Sequence, residues 1–149
     1  GGNKPVATAA MFSRSVNCAY YSPSGSWVAS VSQDNRICLF SSPHLASTAS
    51  MKPESTIKHD NHTGRWLTKF HASWDPRGPD TFAMGCMMKD PYRRIEVFAA
   101  DTPNPLIATL HSEEYMNSIQ SLNVFHDTLN VVAGVNSSGR VHLYCDVHM

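Results

Sequence analysis

The chain has 149 residues, 42% of them hydrophobic and only 16% charged, and its Lys and Arg balance its Asp and Glu to a net charge of zero. That length fits one domain with a core, and the zero balance, taken alone, argues against a nucleic-acid-binding protein. No run of eighteen apolar residues occurs, so no membrane span is expected, and the stretch from Gly1 to Ala10 is too short and too weakly apolar for a signal peptide.

Val6 to Phe12 reads as an isolated strand. Val16 to Ser22 is a second, Pro23-Ser24-Gly25 a turn, and Trp27 to Ser32 the return strand. Gln33-Asp34-Asn35 turns into a strand from Arg36 to Phe40, and a Ser/Pro-rich linker from Ser41 to Pro53 leads to Ser55–His59. A second unit uses Lys69–Trp74, Phe82–Met87, Arg94–Phe98 and Leu106–Leu110. A third has Ser121–Phe125, Asn130–Val135 and Arg140–Cys145. Nine prolines in the connections suit many short strands, and Ser112 to Ser118 is the only helix candidate.

One pattern occurs in all three units: an arginine, then apolar, any, apolar, aromatic. It reads Arg36-Ile37-Cys38-Leu39-Phe40, Arg94-Ile95-Glu96-Val97-Phe98 and Arg140-Val141-His142-Leu143-Tyr144. Upstream of each, a strand ends in an aromatic and a turn, with Tyr21, Trp74 and Phe125 in equivalent places that predict core positions. Four-stranded antiparallel units repeated in this way are propeller blades, and three cannot close a ring of roughly four to eight. The expected layout is an outer strand of a preceding blade at 6–12, blades at 15–60 and 66–111, and a last blade at 119–146 lacking its outer strand. The remaining blades of the same propeller are then the first partners required.

Asp34, two residues before Arg36, occupies a tight-turn aspartate position, while Ser138 stands there in the third unit. With Gly64-Arg65-Trp66-Leu67-Thr68-Lys69-Phe70, Trp74-Asp75-Pro76, Arg93-Arg94-Ile95-Glu96-Val97-Phe98 and Gly134-Val135-Asn136-Ser137-Ser138-Gly139, these residues resemble the WD-repeat family. The resemblance is to the branch that includes the small subunit of the damage-specific DNA-binding complex. It implies an all-β, WD40-type β-propeller, of which this chain is the C-terminal part of a seven-bladed ring, acting in the nucleus on DNA or chromatin. It also implies, as the alternative, a protein-interaction scaffold or substrate receptor that engages the propeller adaptor of a cullin-RING ubiquitin ligase. Trp74-Asp75-Pro76-Arg77 spells the WDxR box of such receptors, but it ends a first strand where the functional box ends a third, so it reads as a core tryptophan and a turn. The damage-binding relative carries an aromatic wedge in the loop before Leu67-Thr68. Here the aromatic position is Gly64, and Trp66 stands two residues later.

Placed on blades, eight of the twelve basic residues fall on the face formed by second-to-third-strand turns and blade-to-blade loops. Arg14 is one of them; the others, with Trp66, make the candidate DNA-binding set: Arg36, Arg65, Trp66, Lys69, Lys89, Arg93, Arg94 and Arg140. A basic face suits phosphate contact, and aromatics such as Trp66 and Tyr92 suit stacking. The competing reading has the repeated arginines bonding nearby turn carbonyls and Trp66 packing at a blade edge. His59 and His62 have metal-like spacing, but no cysteine pair completes four ligands, so no zinc or other cofactor is expected. Cys18, Cys38, Cys86 and Cys145 lie in or beside strand patterns and read as reduced core thiols of an intracellular protein. No nucleophile elbow, phosphate loop or paired carboxylate is present, so a binding module rather than an enzyme is expected.

Overall fold

Short apolar runs cut by proline and glycine favour strands over helices. In the computed structural model, which describes residues 2–5, 7–42 and 51–145, eleven strands form three antiparallel sheets. The first contains β1 (Val16–Tyr21), β2 (Trp27–Ser32), β3 (Arg36–Ser41) and β4 (Ser55–Lys58), in chain order. The second contains β5 (Ser73–Trp74), β6 (Thr81–Gly85), β7 (Ile95–Ala99) and β8 (Leu106–Leu110). The third contains β9 (Gln120–Phe125), β10 (Val131–Asn136) and β11 (Val141–Cys145), with no fourth strand among the described residues. Each sheet is a meander of neighbouring strands, the blade architecture the repeat predicts.

Several expectations are revised. The strand expected over Val6–Phe12 is a single bridge at Thr8, whose carbonyl accepts from Met51 N at 3.1 Å; Val6 itself and residues 43–50 of the linker lie outside the described residues. The strand expected from Lys69 shrinks to Ser73–Trp74, although Phe70 and Ala72 remain buried. Ser112–Ser118 forms one closed turn, Met116 N donating to Ser112 O at 2.9 Å.

The turns before β3 and β11 follow one rule. Ser32 pairs with Arg36 around a three-residue loop that ends on Asn35 at φ 65°, and Asn136 N bonds Arg140 O around a loop that ends on Gly139 at φ 74°. Three-residue hairpin loops place a left-handed residue last, which asparagine and glycine both accept.

The sheets pack face to face because strand side chains alternate. Cys18, Ala29, Val31, Ile37 and Leu39 of the first sheet meet Phe70, Ala72, Phe82, Met84 and Phe98. On the other side of the second sheet, Ala83, Ile95, Val97 and Leu110 meet Met116, Phe125 and Val132. The second sheet is covered on both faces, so every residue of β6 and β7 is buried. Polar contacts help fasten the first pair of sheets, among them Trp74 Nε1 donating to Tyr20 O at 3.1 Å and Ser24 Oγ donating to Asp80 at 2.6 Å.

Tyr21 is not core: it is 63% exposed, whereas Phe125 is buried and Trp74 half-buried. Cys18 faces the second sheet, so alternation turns Tyr21, three residues on, to the opposite side. Cys145 is likewise exposed at the end of β11, while the other three cysteines are buried free thiols.

Candidate nucleic-acid interface

Arg36 opens β3, and Arg94 and Arg140 stand one residue before β7 and β11, yet each finds a different partner. Arg36 pairs with Asp34 Oδ2, donates to Met11 O at 2.8 Å, and lies 5.4 Å over the Phe12 ring. Arg94 bonds Glu96 Oε1 at 2.6 Å and reaches the carbonyls of Asp90 and Tyr92; its side chain is 11% exposed. Arg140 donates to Asn117 Oδ1 at 2.8 Å and Tyr115 O at 3.3 Å. In that third unit Asn136 Oδ1 accepts from Ser138 N and Arg140 N, at the turn position where Ser32 Oγ accepts from Asp34 N in the first. Arg94 thus bonds carbonyls of its own turn, as the competing reading has it, whereas Arg36 and Arg140 also reach Met11, Tyr115 and Asn117 in other segments.

Asp34 also accepts from the backbone N and hydroxyl of Ser13, so it ties residues 11–13 to the β2–β3 turn. The hydrogen bond from Arg36 is the main reason its carboxyl is held down to about 2. A carboxylate held below its unfolded value near 4 contributes stability above that value and loses it as pH falls towards 2. Asp34→Asn is therefore expected to lower the melting temperature at pH 6, with the gap to wild type closing between about pH 4 and 2. Thermal melts across that range check it; a gap independent of pH would remove the ion pair from the account.

Arg65, Trp66 and Lys69 stand apart from this internal bonding. The segment that leads to them is fastened at its base: Asn61 N and His62 N both donate to Asn35 Oδ1 at 3.0 Å, and Gln33 Nε2 donates to Thr63 Oγ1 at 3.1 Å. Asn61 is fully buried. From this base the chain turns, Leu67 N bonding Gly64 O, and projects Trp66 outward at 94% exposure. Trp66 therefore does not pack at a blade edge. Arg14, Gln33, His62, Arg65 and Lys69 line a cleft of about 390 Å³ beside it. Among the described residues the side chains of Arg14, Arg65 and Lys69 make no hydrogen bond or ion pair. An exposed aromatic beside unpaired cations can accept a phosphate and a base face together.

The remaining candidates do not line that cleft. Lys89 is exposed, Arg93 donates to Met87 O at 2.5 Å, and Tyr92 stacks on His111 at 3.7 Å between ring centroids. Arg77 of the Trp74-Asp75-Pro76-Arg77 turn folds back onto Asp75 through Nε at 2.9 Å and Nη2 at 2.6 Å.

The sequence missed one group. His59, from the segment after β4, meets Cys86 and Glu96 of the second sheet, all three buried, with ligand-type atoms within 4.8 Å of one another. Burial alone would push His59 down, but its contacts with Cys86 and Glu96 outweigh that and lift it to about 9. Glu96 is held low, its burial outweighed by His59 and Arg94. The spacing of His59 and His62 drew attention to the wrong pair: His62 bonds Gln33 O at 3.3 Å and belongs to the cleft.

No family model matches the chain. It is 36% identical over 144 residues, 96% of its length, to WD repeat-containing protein 76 of Xenopus laevis, and spans 24% of that protein. It is 34% identical over 141 residues, 87% of its length, to DNA damage-binding protein CMR1 of Chaetomium globosum, and spans 25% of it. The chain thus spans about a quarter of these relatives. Among solved structures the Dos1 propeller superposes with a TM-score of 0.61 at 22% identity, over 87% of this chain and 30% of that one.

Proposed function

Given a chain that belongs to the WD-repeat family and folds as part of a WD40-type β-propeller, we propose that it is a non-enzymatic, nuclear module that binds DNA in the response to DNA damage. The observation that carries this reading is Trp66, 94% exposed between Arg65 and Lys69 on a fastened base. A large aromatic held in water is costly unless something covers it, and unpaired cations beside it favour a polyanion. The name of the Chaetomium relative, a DNA damage-binding protein, supports the same choice of partner. The scaffold reading gains little from the WDxR turn, because Asp75 already occupies Arg77.

Affinity for duplex DNA over a range of salt concentrations tests the proposal. Arg65→Ala with Lys69→Ala is expected to weaken binding to all sequences and flatten the plot of log affinity against log salt by about two units, one for each lost contact. Trp66→Ala is expected to cost roughly 1–3 kcal/mol of binding, more on mismatched or damaged duplex, where an unstacked base is easier to reach. Its melting temperature should not move, since Trp66 packs on nothing. An unchanged salt slope in the folded double variant would favour a protein partner at this surface.

A further inference from the structure

The bonding around His59 is incomplete in a specific way. Asn61 Nδ2 donates to Arg36 O at 3.1 Å, which turns Asn61 Oδ1 towards His59 Nδ1. An amide oxygen only accepts, so Nδ1 carries the hydrogen and Nε2 is the atom free to act as a ligand. Nε2 lies 2.9 Å from Glu96 Oε2, yet it is fully buried and makes no aligned hydrogen bond. At that separation the two atoms need a positive centre between or beside them, either a proton on Nε2 or a cation. Cys86 Sγ completes the group on a third side.

We propose that His59, Cys86 and Glu96 form a binding site for a zinc-class divalent cation. The donor set is one imidazole nitrogen, one thiolate sulfur and one carboxylate oxygen, the mixture that zinc prefers over calcium or magnesium. Zinc bonds of about 2.0–2.3 Å are reached from the present separations by small side-chain rotations. The outer contacts are those a metal site uses: Asn61 fixes the imidazole tautomer, and Arg94 Nε holds Glu96 Oε1 at 2.6 Å, leaving Oε2 for the ion. A cavity of about 540 Å³, bordered by His59, Cys86, Glu96, Asp60 and Met88, gives an entry path and room for a water as fourth ligand. Because His59 belongs to the segment after the first sheet and Cys86 and Glu96 to the second, the ion would clamp one blade to the next. The competing occupant of the gap is a proton on Nε2.

The full chain, freed of metal by chelator and without a histidine tag, is titrated with zinc alone and, separately, with cobalt(II) as a coloured substitute. The expected result is one ion per chain, a thiolate-to-cobalt charge-transfer band in the near ultraviolet, and a melting temperature raised by zinc. Cys86→Ser abolishes that band, and Cys145→Ser, which removes the exposed thiol, leaves it intact. Asn61→Asp retains an acceptor for Nδ1 and keeps binding, whereas Asn61→Leu weakens it about 10–100-fold. Should Cys86→Ser not fold, the wild-type zinc titration decides alone. Absence of stoichiometric zinc and of any rise in melting temperature in wild type overturns the proposal, as does a cobalt–thiolate band that survives in folded Cys86→Ser.

Discussion

Phe82→Ala is expected to cost about 3–5 kcal/mol of folding stability, a large share of the roughly 5–15 kcal/mol a domain possesses. Phe82 is fully buried on the face of β6 that meets the first sheet. Its ring stacks on Phe98 at 5.2 Å and takes the edge of Trp74 at 5.0 Å, while His59 packs against the far partner, Phe98, at 5.6 Å. Truncation removes the transfer energy of the ring and leaves a void, because β6 is clamped by neighbours on both sides and cannot collapse inward. It also withdraws the surface that orients Trp74, whose indole hydrogen bond to Tyr20 links the two sheets. Denaturant midpoints of the variant and wild type measure the loss; a cost below about 1 kcal/mol would mean that these sheets are not held by this aromatic stack.

Gly85→Ala should be comparably damaging for the opposite reason. A Cβ on Gly85 would stand 1.9 Å from the carbonyl oxygen of Gln120 and 3.1 Å from Phe70 Cε1. The first obstacle is backbone, so no side-chain rotation relieves it, and β6 and β9 must separate. Overpacking costs about 1–3 kcal/mol where side chains can adjust, and here the expected loss is about 3 kcal/mol or more. Gly64→Ala is the matched control: its Cβ meets nothing within 4 Å, so thermal stability should hold or rise slightly. Equal melting temperatures for the two variants would show that the second and third sheets have room between them.

The fold was largely legible because it is written in repeats. Period-two runs ending in an aromatic and a turn located ten strands to within a few residues, Leu106–Leu110 among them without error. The failures share a cause. At 69–72 the apolar residues are present and buried, but the chain does not pair until Ser73, since local pattern records burial better than partner. Tyr21 matched Phe125 in position, but the facing of Cys18 puts it on the side of the first sheet that no other described sheet covers, whereas Phe125 meets the second. The candidate interface was half legible. Unpaired Arg65 and Lys69 and projecting Trp66 follow from a polar loop between strands, whereas the bonding of Arg36 and Arg140 depends on partners in other segments. His59, Cys86 and Glu96 lie 27 and 10 residues apart along the chain, and only the packing of one sheet on the next unites them.

The uneven covering of the three sheets also orders their motions. Amides of β6 and β7, shielded on both faces, can exchange with solvent only when much of the molecule opens. β11, with alternate residues exposed and one edge unpaired among the described residues, needs far less disruption to release its amides. Opening therefore spreads from the third sheet towards the second. A slow-exchanging keel at the centre keeps the Arg65–Trp66 loop and the His59 group on a fixed footing while the outer blade breathes.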